Sequence, residues 1–474
     1  MTNAPEIERI EKDPLGPVSI PFDAYYGPQT ARAIANFPIS GIKISHFPNF
    51  IKALAYVKMA AARANAALGD LDKQKVDVIC QVCEEIAAGT HLGEFPLDVF
   101  QGGAGTSTNM NINEVIANRG LEIMGLPRGK YDKLHPNNDV NFAQSTNDVY
   151  PTAIRLAILL SRGELQRALE QLAGELEAKA ENFSDVIKLG RTQLQDAVPM
   201  TLGQEFQAFA MTLREDVARI GEIAAFFHEI NLGGTAIGTG INTNPDYQAA
   251  AVAELRAISG VPVVSAGNLI EACWDTGAFV LFSGMLKRTA TKLSKICNDL
   301  RLLSSGPRGG LNEISLPALQ PGSSIMPGKI NPVVPEVVNQ VAFQIIGYDL
   351  TITLASEAGQ LQLNVMEPVI AYNILHSLEL LANAVDVLRT KCIVGITADA
   401  ETCRKHLEAS TAVATALTPA IGYERAAELA KEILASGKTI RQVLAEQPDL
   451  SEDLIAQTAD PHLLTRPTRS RLAS

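Results

Sequence analysis

Leu165, Leu169, Leu172 and Leu176 recur at spacings of four, three and four, with Glu164, Gln166, Arg167, Glu170, Gln171, Glu175 and Glu177 on the positions around them. This is the apolar stripe of an amphipathic helix. The chain predicts further helices over residues 202 to about 230, 277 to about 303, 333 to about 358 and 369 to about 394. Several exceed the usual helix length of about 10–14 residues, and little strand patterning separates them. Long helices in succession imply an all-α helix bundle. Three domains are expected: an N-terminal domain (1–143) of short helices and Pro/Gly-rich loops, a central helix-bundle domain (144–396) carrying most of the chemistry, and a small C-terminal helical domain (397–474). The last is predicted to hold helices over 423–436 and 440–446, then loop-like backbone at Asp460-Pro461 and Arg466-Pro467.

At 474 residues the chain exceeds one ordinary core, which suits that division. Its formal net charge of −12 argues against a nucleic-acid partner, because a phosphate backbone is met by clustered Lys and Arg. It leaves room for a small dianion held at a local positive site. No basic region followed by an apolar run opens the sequence, so no signal peptide is expected, and the runs 156–160 and 279–282 are too short to span a bilayer. A cytoplasmic protein away from membranes is the expectation. Six cysteines in so long a chain make no disulfide framework. Cys80 and Cys83 have CxxC spacing but lie in a helical segment and are read as packing residues. The seven histidines show no metal-binding spacing, so no metal is expected. The glycine-rich run 233–240 lacks the preceding strand of a nucleotide-binding turn and is read as a tight inter-helix loop.

Four segments concentrate chemistry. The first is Gly322-Ser323-Ser324-Ile325-Met326-Pro327-Gly328-Lys329-Ile330-Asn331-Pro332: adjacent hydroxyls, a cation and an amide in flexible backbone, suited to a loop that closes over an anion. The second contains Thr106, Ser107, Thr108 and Asn109, and the third Ser145, Thr146 and Asn147. The fourth, Gly190-Arg191-Thr192-Gln193-Leu194-Gln195-Asp196, falls between two helical runs and reads as a helix cap or a salt-bridged turn. Singly, the hydroxyl-rich segments are also ordinary turn and cap chemistry. Together they fit a small dicarboxylate, which has no apolar body to grip and must be held by many neutral donors and a cation.

The eleven-residue loop resembles the signature loop of the aspartase/fumarase superfamily. The resemblance runs from Asp23-Ala24-Tyr25-Tyr26-Gly27 through the four segments to Pro419-Ala420-Ile421-Gly422-Tyr423, and within the family it is strongest to the aspartases, notably over 190–206 and 295–308. It implies an all-α, three-domain fold whose central long-helix bundle assembles into a tetrameric helical core, with active sites shared between subunits. It implies no cofactor, and reversible elimination of ammonia from L-aspartate to give fumarate. Ser323 would be the base that removes the Cβ proton, with a purely binding hydroxyl as the competing role. Thr106, Ser145, Thr146 and Ser324 would hold the carboxylate beside that carbon, and Lys329 and Asn331 the other carboxylate. Asn147, Thr192 and Gln193 would surround the amino group, with Glu336 orienting the group at 193.

Position 193 argues for the substrate. The fumarase pattern has His there, useful for a hydroxyl leaving group; a neutral amide meets an ammonium without the repulsion of an imidazolium. Fumarate hydration is the alternative activity. A catalytically silent helical scaffold is the alternative class, set against by the intact Ser323, Lys329, Asn331, Thr106 and Thr192. His135-Pro136-Asn137 resembles a secondary anion site of fumarases, or is a surface-loop histidine.

Overall fold

The computed structural model describes residues 8–448, 450–451, 455 and 464–466. The expected terminal loop at Asp460-Pro461 and Pro467 lies outside them. The architecture is mostly helical: α1 (Pro28–Asn36), α2 (Pro48–Ala67), α3 (Lys73–Ala87), α4 (Thr106–Ile123), α5 (Thr146–Asn182), α6 (Leu202–Ala224), α7 (Tyr247–Ser259), α8 (Gly277–Leu303), α9 (Val333–Glu357), α10 (Glu367–Lys391), α11 (Ala400–Glu408), α12 (Thr418–Ile421), α13 (Tyr423–Ser436) and α14 (Ile440–Ala445). Short two-stranded pairs join β1 (Glu8–Asp13) to β2 (Gly16–Pro21), β3 (Ile187–Thr192) to β4 (Gln195–Thr201), β5 (Glu229–Ile230) to β6 (Val264–Ser265) and β7 (Ile314–Ser315) to β8 (Thr397–Ala398). Among the described residues no helix is long and apolar enough to cross a membrane.

Three local expectations change. The helix predicted to about residue 230 ends at Ala224, and Glu229–Ile230 instead pairs in parallel with Val264–Ser265. Among its described residues the N-terminal region adds an antiparallel hairpin, turning at the Pro14-Leu15-Gly16-Pro17 loop, to the expected short helices. The polar segment 190–196 is not a helix cap; it is a turn with a salt bridge, Arg191 to Glu313, but at the tip of the β3–β4 hairpin rather than between helices. Tertiary pairing decides such short segments, because their periodicity covers too few residues to discriminate.

The chain divides into two compact units, and α5, α6, α8, α9 and α10 each contribute residues to both. One comprises residues 1–165, 219–288 and 344–380; the other 166–218, 289–343 and 381–474. In the first, α2 is apolar nearly all round and packs against α3 and α7. Arg9 pins the chain after the β1–β2 hairpin, donating to the carbonyls of Pro21, Phe22, Ala24 and Tyr26 at 2.7–3.0 Å. The buried Glu114 of α4 caps α1, accepting the N–H groups of Gly27, Gln29 and Thr30 and the Thr30 hydroxyl. Burial pushes that carboxyl up to about 7 against these hydrogen bonds.

In the second unit the helices are tied by buried polar groups. Asp216 of α6 accepts from Thr289 Oγ1 at 2.9 Å and Lys292 Nζ at 2.7 Å on α8. Asn339 of α9 donates to the Ser294 carbonyl and hydroxyl at 3.1 and 2.8 Å. A separate apolar core gathers Leu189 of β3 with Leu407, Leu417, Leu429, Ile433 and Leu444. α14 starts on a Thr439/Gln442 capping box.

One glycine fixes the start of α4. Gly105 has φ +87°, and a Cβ there would stand 2.4 Å from the buried Tyr150 ring. Gly105→Ala should therefore lower the thermal midpoint, at a cost of about 1–3 kcal/mol for overpacking. A variant melting with the parent would mean that Tyr150 can swing aside.

Candidate active site

In the first unit the two hydroxyl-rich segments meet around a buried lysine. Lys58 sits in the apolar run of α2 with no exposed surface. Its Nζ donates to Asn109 Oδ1 at 2.7 Å, Asn141 Oδ1 at 2.9 Å and Gln144 Oε1 at 2.9 Å. Three N–H bonds find three amide oxygens, so the ammonium is fully partnered. Burial pulls its pKa down to about 7, with the charge of Asp148 opposing; each acceptor requires an N–H and favours the ammonium form. Asn109 passes the order on, donating to Asn141 Oδ1 at 3.1 Å and Thr146 Oγ1 at 3.2 Å.

Asp148, also wholly buried, holds the start of α5. It accepts the N–H of Ser145 at 2.9 Å and those of Gly233 and Thr235 at 3.0 Å. Burial raises its carboxyl to about 6, against those bonds and the Lys58 charge. The glycine-rich run 233–240 is thus a loop whose N–H groups serve a carboxylate of the chain itself. Pro151 lies inside α5 and cannot donate to the Asn147 carbonyl; Asn231 Nδ2 does so instead, at 2.9 Å. Thr106 is exposed at the first turn of α4, its hydroxyl donating to the Gly103 carbonyl at 2.7 Å. Asn147 commits its amide nitrogen to the Ala236 carbonyl at 2.8 Å, and the Ser145 hydroxyl accepts the Asn147 N–H at 3.2 Å.

In the second unit the signature loop is framed at its base. Gly322 N–H donates to the Lys329 carbonyl and Asn331 Nδ2 to the Gly322 carbonyl, both at 2.8 Å. A Cβ at 322 would stand 2.5 Å from that Lys329 oxygen, so glycine is required. Within the frame, Ser323 Oγ accepts the N–H groups of Ile325 and Met326 at 3.2 and 3.1 Å. Ser324 and Lys329 are exposed. Thr192 and Gln193 occupy the exposed hairpin tip, where Gln193 and Leu194 have φ of 54° and 61°. Neither is glycine, so this turn costs roughly 1–2 kcal/mol per residue. Glu336 is half-buried in the first turn of α9, and among the described residues no hydrogen bond joins it to Gln193.

The expected site residues therefore fall into two groups: Thr106, Ser145, Thr146 and Asn147 in the first unit, and Thr192, Gln193, Ser323, Ser324, Lys329, Asn331 and Glu336 in the second. Sequence reasoning missed Lys58, Asn141 and Asp148, and did not see that Glu313 grips the hairpin. Lys58 left a signal, a lone lysine in an apolar helical run, where burial requires partners. Glu313 is wholly buried, with Arg191 at 2.7 Å, His406 at 3.0 Å and Lys188 at 3.2 Å. Burial alone would raise its carboxyl, but Arg191, Lys188 and His406 outweigh this and hold it below the usual value.

His135 caps its own turn: Nδ1 accepts the N–H groups of Asn137 and Asn138 at 3.0 and 3.2 Å, which occupies donors an anion would use. Burial lowers its pKa. Cys83 lies on the buried face of α3, and burial pushes its thiol well up. Among the described residues no group of three or more His, Cys, Asp or Glu could hold a metal ion.

Comparison with known proteins places this arrangement. The family model described as Lyase matches residues 16–347, and that described as Fumarase C C-terminus matches 413–466. The chain is 59% identical to the aspartate ammonia-lyase of Pseudomonas canavaninivorans, covering 97% of each chain. It is 54% identical to that of Escherichia coli K12, covering 94% of this chain and 93% of that one. The chain belongs to the aspartase/fumarase superfamily of lyases. Its fold is that of solved members of the superfamily. Brucella melitensis fumarate lyase:delta crystallin bound to cobalt superposes with TM-score 0.95 at 58% identity, covering 97% of this chain and all of that one. The class II fumarase of Schistosoma mansoni superposes with TM-score 0.93 at 35% identity, covering 98% and 100%.

Two predictions follow from the buried charges of this lyase. Lys58→Met leaves three amide oxygens without their donor, at a cost of at least about 3 kcal/mol. Thermal melting should show the loss, and an unchanged midpoint would mean that the amides find other donors. Glu313 has a folded pKa below its unfolded one, so its contribution is complete above about pH 4.3 and is lost as pH falls through the folded value. Glu313→Gln should flatten the acid limb of a stability–pH curve; a limb as steep as the parent's would assign acid sensitivity to other carboxylates.

Proposed function

We propose that the chain is an aspartate ammonia-lyase, a carbon–nitrogen lyase that reversibly converts L-aspartate into fumarate and ammonia. The name is that of relatives 51–59% identical over nearly the whole chain. The observation that carries the chemistry is the pair of backbone N–H groups aimed at Ser323 Oγ. A serine alkoxide is unstable in water near neutral pH; two N–H donors and a cation such as Lys329 in a closed loop stabilise it. The alkoxide takes the Cβ proton and becomes a neutral hydroxyl, and the electron pair of the broken C–H bond moves into the adjacent carboxylate as an aci-carboxylate with two negative charges. Hydroxyls of Thr106, Ser145, Thr146 and Ser324 donate to that growing charge and lower the barrier more than they stabilise bound substrate. The pair then forms the C=C bond, the C–N bond breaks, and the ammonium group departs as NH3. Lys329 and Asn331 hold the other carboxylate, and Asn147, Thr192 and Gln193, with Glu336 behind, hold the amine.

In this reading the active sites are shared between subunits of a cytoplasmic homotetramer, with domain boundaries at 143 and 396. α9 supports the assembly: Phe343, Ile346, Leu350 and Leu354 form one stripe, each 40–63% exposed in the single chain. All six cysteines are free thiols, which suits a reducing compartment.

The ultraviolet absorbance of fumarate should appear when purified enzyme meets L-aspartate; fumarate from malate but not from aspartate would overturn the substrate assignment. Ser323→Ala should lower kcat by about 10²–10⁴-fold and leave aspartate binding nearly intact, whereas equal loss of both would remove Ser323 as the base. Lys329→Ala should raise KM by about 10–100-fold, as for a hydrogen bond to a charged group; an unchanged KM would exclude carboxylate contact.

A further inference from the structure

Arg191 is the last side chain anchored before the exposed tip that carries Thr192 and Gln193. Its Nη2 lies 2.7 Å from Glu313 Oε1, and its Nη1 turns back to the Leu189 carbonyl at 3.3 Å. The same Glu313 oxygen meets His406 Nδ1 at 3.0 Å, and the other oxygen meets Lys188, which also bonds Glu205 at 2.6 Å. Glu313 is itself fixed without the hairpin. Its N–H donates to the Leu303 carbonyl at the end of α8, and its carbonyl accepts the Asp399 N–H before α11, both at 2.9 Å.

Attachment of the hairpin does not need this cluster, since Leu189 already sits in the apolar core. Buried ion clusters are frequently no better for stability than apolar packing. They do impose one geometry, because a buried carboxylate tolerates few arrangements of its cations. The strained turn at Gln193-Leu194 leaves the tip little latitude beyond that anchor.

We propose that Glu313 is a positioning residue: through Arg191 it sets where the hairpin tip stands, and so aims Gln193 at the departing amino group. This rests on the ammonia-lyase reading. Fumarate has no amino group, so a displaced tip is felt by ammonia and aspartate and not by fumarate. A role confined to stability makes no such distinction.

The test is steady-state kinetics of the full-length enzyme in the direction of amination, with the KM of ammonia and the KM of fumarate measured separately. Glu313→Gln and Arg191→Met should each raise the ammonia KM about tenfold or more, misplacement by about an ångström being enough. The fumarate KM should stay within about twofold, and Arg191→Lys should recover part of the loss. Arg404→Ala, which removes only exposed ion pairs with Glu401 and Glu408, should match the parent. Both KM values unchanged, or both rising together with a fall in thermal midpoint, would overturn the proposal. Should Glu313→Gln not fold, the two Arg191 variants decide, because Glu313 keeps its other cations in them. A parent enzyme inert towards aspartate would remove the functional reading itself; an active parent with unaltered ammonia KM in the variants removes this inference alone.

Discussion

A lysine ammonium taken out of water is the constraint on which the first unit turns. Such a charge costs several kcal/mol unless each of its N–H bonds meets an acceptor. Lys58 meets three, and they come from different stretches of chain: Asn109 from α4, Asn141 and Gln144 from the backbone leading into α5. The requirement that all three face one nitrogen places the first turns of α4 and α5, and with them Thr106 and Thr146. Asp148 extends the arrangement, drawing three backbone N–H groups from two loops onto one carboxylate.

The second unit uses the opposite sign in the same way. Glu313 is buried beneath Lys188, Arg191 and His406, and these reach it from β3 and α11. In both units groups assigned to substrate are borne on loops or first turns, Thr106, Thr192 and Gln193 exposed and Thr146 buried, while a buried charge beneath helps to define the place of the first turns of α4 and α5 and of the hairpin tip. Sites of this kind need rigid support, because a loop alone does not hold a side chain within the fraction of an ångström that catalysis requires.

The Ser323 loop is organised differently. Its frame is local, closed by the Gly322, Lys329 and Asn331 bonds, and its apolar residues Ile325, Met326 and Ile330 stand in solvent. Exposed apolar side chains on a loop of Gly, Pro and small polar residues suit a segment that changes its surroundings when it closes. The Ser323 hydroxyl already receives two N–H donors within the loop, from Ile325 and Met326.

How much was legible in the sequence depends on the range of the interaction. The long helices could be read, because a 3.6-residue apolar repeat over twenty or more positions has no competing explanation; so could the loop character of 322–332, from its glycines and prolines, but not the Gly322, Lys329 and Asn331 bonds that frame it. The segment 190–196 was read as a helix cap or a salt-bridged turn and given no strands, because a six-residue strand paired with the next has no periodicity long enough to declare itself. Asp148 and Glu313 were out of reach, because a charged residue carries no mark of whether its partners lie in solvent or in another helix; Lys58 stood out only as a lysine in an apolar helical run, with nothing to name its partners. Which charges are buried, and which distant amides and cations answer them, only the tertiary structure decided, because the cost of removing a charge from water depends on everything that surrounds it.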